Sequence, residues 1–251
     1  MLAKLIDSLF GNDLSEAYRE LRRNVLDEYS DKSYSQEGED MILKRIFDGV
    51  RSGFYIDVGS HHPKRFSNTY YFYKRGWCGI NIDAMPGSME LFDRCRPRDI
   101  NLELAISDSE QELKYHIFNE PALNGFDTEL AKCRDGKDGY QLIDRRKIKT
   151  VTLESVLDAH IQSFTHIEFL SVDVEGYDMQ VLQSMNLDKY RPKIVLVEML
   201  NSSLEMVSEG GIARLMRSYG YDAISKCFNT VFFAEREMFK DRTSGWSVKN
   251  Q

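Results

Sequence analysis

The sequence predicts a doubly wound α/β domain, and three observations predict it. Five short runs, at residues 54–58, 79–83, 102–106, 167–172 and 194–199, are nearly continuous in Ile, Val, Leu and Phe, as parallel strands covered on both faces are. Segments of helical character separate them, the alternation of a βαβ sheet. Near the end, residues 221–224 and 230–234 flank the turn-prone 225–229, a hairpin signal that finishes the sheet with an antiparallel pair. A chain of 251 residues is long enough for one such domain and a short appendage.

The appendage comes first. Over residues 1–32, Leu14, Ala17, Tyr18, Leu21 and Val25 recur at i, i+3, i+4 spacing with Arg and Glu opposite, which predicts an amphipathic helix. Residues 2–10 form a shorter amphipathic leader, set off by Gly11-Asn12-Asp13, a turn and a cap. We expect this part to pack or to join a second copy as a homo-oligomer, rather than to lie on a membrane. The second part, residues 33–251, opens on Ser35-Gln36-Glu37-Gly38-Glu39-Asp40 and a helix carrying Met41, Ile42, Ile46 and Phe47. Residues 113–118 and 149–153 read as smaller strands. Residues 119–146, polar and weakly periodic, read as an insertion or lid.

Composition narrows the function classes. Net charge is −7 with 29% charged residues, so no overall attraction to nucleic acid is expected. The basic clusters at 94–98 and 145–149 lack interleaved aromatics and read as solvated loops or an anion contact. Cys78, Cys95, Cys133 and Cys227 form no CxxC pair, which argues against zinc and disulfides and for a reducing compartment. No apolar run reaches the length of a membrane span and no signal-peptide core is present, so a cytoplasmic location is expected.

In an open α/β sheet, ligands meet the carboxyl ends of the strands. Asp57, Asp83 and Asp173 each close an apolar run, and Gly59 breaks the first one where a ligand needs close backbone approach. Asp83 follows at the spacing of a ribose-gripping carboxylate. The turn Gly59-Ser60-His61-His62-Pro63 has one glycine, two bulky rings and a proline without an N–H, a poor pyrophosphate cradle. These residues favour S-adenosylmethionine, which has no phosphates, over a dinucleotide. Tyr70-x-x-x-Lys74 has a short-chain dehydrogenase spacing but falls on the helix after the first strand, too early in the chain. Its aromatic neighbours Tyr71, Phe72, Tyr73 and Trp77 read as helix–sheet packing.

The second informative block runs from Phe169 to Leu182. It delivers Asp173 and Glu175 to the same edge, turns at Gly176, and places Asp178 to cap the next helix. Glu198 ends the following strand. Asp173, Glu175 and Glu198 offer an oxygen-rich site for Mg or Mn, or they bind cofactor and substrate hydroxyls directly. Asp173-Val174-Glu175 also matches the acidic pair with which glycosyltransferases hold a metal and a nucleotide-sugar. His116, His160 and His166 read as structural. His61 and His62 lie in the cofactor turn, where an imidazole can take a proton from an attacking hydroxyl.

Taken in order, Tyr34-Ser35-Gln36-Glu37-Gly38-Glu39-Asp40, residues 54–63, Ser67-Asn68-Thr69, Asn81-Ile82-Asp83 and Ser171-Val172-Asp173-Val174-Glu175-Gly176 resemble the FkbM-type S-adenosylmethionine-dependent methyltransferases over residues 33–234. The resemblance implies a class I methyltransferase (Rossmann-like) fold, a seven-stranded sheet with its last strand antiparallel, and O-methylation of sugars, glycans or natural-product hydroxyls. It implies contacts to the methionine moiety from Asp57, Gly59 and Ser60, to ribose from Asp83, and to adenine from Ser107 and Asp108. Gln36 would close the pocket from the N-terminal side. Asp83 stands where many relatives have glutamate, a shorter reach. The expected bases are His62, His61 and Asp173; Glu175, Asn124, Glu198 and Asn229 would hold a small-molecule, glycan or nucleotide-activated sugar acceptor. A metal-dependent glycosyltransferase-like enzyme and a non-catalytic scaffold are the alternatives.

Overall fold

The computed structural model describes Glu16, residues 30–161 and residues 166–240. The chain divides into two compact units, Met1–Ser33 and Tyr34–Gln251, of which the second is described here. The helical appendage and its expected role in oligomerisation fall outside the described residues, Glu16 and residues 30–33 apart.

The second unit begins with α1 (Glu39–Ile46) and β1 (Phe54–Val58), followed by α2 (Tyr70–Tyr73), β2 (Cys78–Asp83), α3 (Met89–Cys95), β3 (Ile100–Glu103) and β4 (Ala105–Ile106). β5 (Glu112–Phe118) and β6 (Leu142–Val151) form an antiparallel pair whose connection carries a 3₁₀ turn and α4 (Thr128–Arg134). Then come α5 (Leu153–His160), β7 (Phe169–Val172), α6 (Asp178–Gln183), β8 (Ile194–Glu198), α7 (Leu204–Glu209), α8 (Gly211–Ser218), β9 (Tyr221–Lys226), β10 (Thr230–Glu235) and α9 (Arg236–Lys240).

Seven strands form the main sheet in the order β3-β2-β1-β7-β8-β10-β9. All neighbours are parallel except β10, which runs antiparallel to both β8 and β9. This is the class I methyltransferase order, with the antiparallel hairpin that the sequence predicts. β1 sits where the winding reverses, with β2 on one side and β7 on the other.

Strand alternation sends neighbouring residues to two cores. Ile56 and Val58 of β1, with Val231 and Phe233 of β10, join a cluster under α5, α6 and α8. Tyr55, Phe232 and Ala234 point the other way, into Leu43, Phe47, Phe72 and Trp77. The aromatic run at 70–77 is therefore packing, as expected: the Phe72 ring lies 4.7 Å from Trp77 and 5.1 Å from Phe169.

Two expectations change in detail. The apolar run at 102–106 splits between sheets, because Leu104 turns its N–H to the carbonyl of Asp83 and releases Ala105 and Ile106 to pair with β6. β4, β6 and β5 form a separate three-stranded sheet with its own small core of Ala105, Tyr115, Ile117 and Phe126. The strand expected at 149–153 belongs to the longer β6, and Leu153 already starts α5.

The basic cluster at 94–98 is not a solvated loop throughout. Arg96 is wholly buried and pairs with buried Asp99 at 2.8 Å. Its guanidinium also donates to the Tyr55 hydroxyl and to Thr69 Oγ1, each at 2.9 Å. Asp99 accepts from Tyr55, from Gly79 N and from Asn81 Nδ2. Burial drives the Tyr55 hydroxyl pKa far up, against the pull of Arg96, so it stays a neutral donor. Replacing Arg96 by Met strands the Asp99 carboxylate in the core. The expected loss is about 3–5 kcal/mol, read by urea unfolding; a loss below about 1 kcal/mol would show that the pair holds nothing together.

Candidate active site

A cleft opens where β1 and β7 end, as the switch-point rule requires. It holds about 370 Å³, and its lining includes the turn after β1 (Gly59, His61, Arg65, Phe66), the end of β2 (Asp83, Ala84), β5 and the β5–β6 excursion (Tyr115, Glu120, Asn124, Arg134) and the ends of β7 and β8 (Asp173, Glu175, Glu198).

Gly59 makes the closeness of β1 and β7 possible. Its φ is +82°, and a Cβ there would lie 1.7 Å from the carbonyl oxygen of Asp173. The first backbone N–H groups of the turn that follows are not free for a phosphate. Gly59 N and Ser60 N both donate to the Ile82 carbonyl, and His61 N donates to Asp83 Oδ2 at 2.8 Å. With its N–H groups spent inside the protein, the turn cannot form the anion cradle of a dinucleotide site.

Asp83 meets the demands of a ribose. Each carboxylate oxygen accepts one backbone N–H, from His61 and from Met85, which leaves a lone pair on each for a vicinal diol. Burial raises its pKa, so hydroxyl donors there offset a real desolvation cost. Ala84, Leu104, Ile106 and Phe126 form an apolar wall of the same cleft, suited to a flat base. The residues present thus fit an adenosine without phosphates.

The carboxylates at the β7–β8 end are crowded. Ligating oxygens of Asp173, Glu175 and Glu198 all lie within 4.8 Å of one another. Burial, then the charges of Glu198 and Glu175, push Asp173 far above the usual carboxylate range. Glu198 is pushed up to about 8 by burial, with Glu175 and Asp178 adding to it. Its Oε2 is buried with no hydrogen-bond partner among the described residues. Glu175 is raised by burial against the pull of Arg134, its ion-pair partner at 2.5 Å. Asp178 lies in the first turn of α6 but does not cap that helix as expected: its carboxylate turns back to accept from Val174 N and Gly176 N at 3.2 Å each and braces the preceding turn.

The structure separates the two histidines. His61 lines the cleft and its ring nitrogen lies 3.5 Å from Arg65. Burial and then Arg65 lower its pKa, so it is a neutral imidazole. His62 is not part of the lining; its Nδ1 accepts from Lys64 N and Arg65 N and closes the turn. Asp57 also lies off the lining: the pleat turns it to the Tyr55 side of β1, where its Oδ2 accepts from Thr69 at 2.8 Å. Burial pushes it up to about 6, with Arg96 and Thr69 opposing.

Of the other expected residues, Gln36, Asn124 and Asn229 line the cleft. Gln36 is placed by its neighbours: Glu37 accepts from Asn229 N at 2.8 Å, and Glu39 accepts from the Thr230 hydroxyl. Ser60, Ser107 and Asp108 do not line it; the Ser107 hydroxyl donates to Asp108 at 3.3 Å.

Sequence reasoning missed Arg65, Phe66, Tyr115, Arg134 and Tyr140. Arg65 and Glu120 clasp across the mouth through two hydrogen bonds of 3.0 and 3.2 Å, a pairing of residues 55 positions apart. Backbone strain marks the same place. His61, Phe66 and Glu175 all have positive φ (52°, 56° and 55°) and all line the cleft. For side chains of this bulk the conformation is uncommon and collects at functional sites.

Comparison with known proteins follows the same line. The family model described as "Methyltransferase FkbM domain" matches residues 57–223. Among curated proteins, no sequence matches this one. Solved structures similar to the chain include a TehB-like SAM-dependent methyltransferase from Corynebacterium glutamicum (10% identity, TM-score 0.40, 89% of this chain and 98% of that one). Another is the 1,6-didemethyltoxoflavin-N1-methyltransferase of Burkholderia thailandensis, bound to 1,6-didemethyltoxoflavin and S-adenosylhomocysteine (10%, TM-score 0.41, 88% and 87%). A third is an O-methyltransferase from Bacillus cereus in complex with SAH (10%, TM-score 0.37, 93% and 96%). Likeness this remote carries no argument about chemistry, and the assignment rests on the family match, which spans most of the chain. The chain belongs to the FkbM-domain family of S-adenosylmethionine-dependent methyltransferases.

Proposed function

We propose that this methyltransferase acts on oxygen, transferring the methyl group to a hydroxyl of a sugar, sugar nucleotide or glycan. The observation that carries the proposal is the cluster of Asp173, Glu175 and Glu198 beside the glycine turn. A hydroxyl is a weak nucleophile until its proton is removed, and a buried carboxylate of raised pKa is a suitable acceptor for that proton.

S-adenosylmethionine, when bound, supplies a methyl group made electrophilic by its sulfonium. Asp83 would hold the ribose, and Gln36, Gly59 and Asp173 the methionine end. Asp57 and Ser60 would act one step back, by fixing the turn. Asn124, Asn229 and the excursion would position the acceptor, with Asp173 taking its proton as the new O–CH₃ bond forms. His61, neutral and in the lining, is the second candidate base; His62 would support the turn.

A second reading is favoured by the closeness of the carboxylate oxygens, which would suit Mg or Mn. In it the ion acidifies the hydroxyl, and EDTA treatment followed by metal add-back alters the rate. Family membership replaces the nucleotide-sugar glycosyltransferase reading. Among the described residues no helix is long and apolar enough to cross a membrane.

The test is methyl transfer from isotopically labelled S-adenosylmethionine to a panel of sugars, sugar nucleotides and glycan ends, with products identified by mass spectrometry. Label found only on nitrogen or carbon would sink the oxygen assignment. Calorimetry should show that Asp83→Asn weakens cofactor binding by about ten- to a hundredfold, the worth of a charged hydrogen bond. With cofactor saturating, Asp173→Asn should lower kcat by about 10²–10⁴-fold; an unchanged kcat removes Asp173 from catalysis.

The raised carboxylates also set two opposite pH dependences. The base must be ionised, and Asp173 holds its proton well above the usual carboxylate range, so kcat should climb as pH rises. In the ligand-free protein, the folded state keeps protons that the unfolded chain has already lost. Stability should therefore fall as pH rises from about 6.5 to 8, by about 1 kcal/mol per unit for one extra bound proton. The histidines, whose pKa values are lowered, contribute in the opposite direction only below about 6.5. Thermal unfolding across this range checks the sign, and Glu198→Gln should flatten the slope.

A further inference from the structure

The cleft has two cationic side chains in its lining, Arg65 and Arg134. Arg65 is committed to Glu120 at the mouth. Arg134, at the end of α4, reaches inward to Glu175 at 2.5 Å, and the two side chains are only 17% and 12% exposed. The approach is not a chance contact of long side chains. The excursion is seated on the turn that carries Glu175 at two glycines where an added Cβ would be crowded. A Cβ on Gly125 would lie 3.0 Å from Glu175 Cβ, and one on Gly176 would lie 3.2 Å from Asp127, the N-cap of α4. Both ends of α4 are therefore docked on the Glu175–Gly176 turn. Glu175 is held there at φ 55°, a conformation that glutamate adopts only under constraint.

Three carboxylates with oxygens within 4.8 Å can ionise together only beside a counter-charge. A guanidinium on Glu175 already provides one, and it stands where a divalent ion using the same oxygen would meet a second positive charge. We propose that Arg134 is the resident cation of this cluster, a positioning residue that holds Glu175 in place so that Asp173 and Glu198 face the acceptor hydroxyl, and that it occupies the place of a metal ion. The inference rests on the O-methyltransferase reading for what the cluster is used for, but not for how it is assembled. It also makes seating of the excursion a condition for a complete site, because the cation travels with α4.

The test uses Mn²⁺ as the probe and electron paramagnetic resonance as the readout, on the full chain at about pH 8, where ordinary carboxylates are ionised. The wild-type protein should hold no Mn²⁺. Arg134→Met should uncover the three carboxylates and bind the ion with a dissociation constant on the order of 10⁻⁴ M, the weak end of oxygen-ligand sites. Arg134→Met combined with Glu175→Gln should lose it again, and Arg134→Lys should exclude it as the wild type does. Mn²⁺ held by the wild-type protein overturns the proposal in favour of the metal reading. An Arg134→Met chain that folds, binds S-adenosylmethionine and takes up no Mn²⁺ overturns it as well. If Arg134→Met does not fold, the wild-type and Arg134→Lys measurements decide, since both must exclude the ion. None of these readouts requires an acceptor. A chain that behaves as described but methylates no hydroxyl contradicts the oxygen assignment alone.

Discussion

Arg96 and Asp99 lie behind the main sheet with no exposed side-chain surface, and the first three strands are tied to them. Asp99 takes hydrogen bonds from β1 through Tyr55 and from β2 through Gly79 and Asn81, while Asn81 also reaches Asn101 of β3. Arg96 reaches Thr69, which in turn holds Asp57. A buried ion pair is tolerable only when its remaining hydrogen-bonding capacity is satisfied, and here nearly every neighbour serves that end. The consequence for the cleft is positional. β1 cannot shift against β2 without breaking the network, so Gly59 and Asp83 keep their relative places, and with them the turn that His61 bridges.

The cleft itself is held under constraint of another kind. Three of its non-glycine wall residues sit at positive φ, two ion pairs cross it, and its acidic end carries carboxylates whose ionisation is mutually unfavourable. Such an arrangement persists only where surrounding packing over-determines it. Both cores supply that packing: the aliphatic layer under α5, α6 and α8, and the aromatic layer around Phe72 and Trp77.

The sheet was legible in the sequence because its strands are buried on both faces and so lack polar interruptions; their ends read directly as carboxylates and glycines. The turn at 59–63 was legible as a site without phosphate, since glycine count and proline report on backbone donors. Asp57 was legible as a strand-end carboxylate but not its direction, because a one-residue difference in where a strand ends turns a side chain to the other face. Leu104 illustrates a similar limit: an apolar run shows burial but not the sheet in which it is buried. Arg65 and Arg134 were hidden for a different reason. Their partners lie far along the chain, and single arginines in polar segments carry no periodicity. Arg96 was misread with its neighbours because a basic cluster on paper says nothing about which member faces inward.

Leu104 has one more consequence. By dividing one run of chain between two sheets, it gives the β5–β6 hairpin a foundation separate from the main sheet, with a hydrophobic core of its own. That hairpin carries one wall of the cleft. Changes in residues 119–141 therefore disturb that small cluster and its seat on the Glu175 turn, and leave the two large cores of the main sheet as they are.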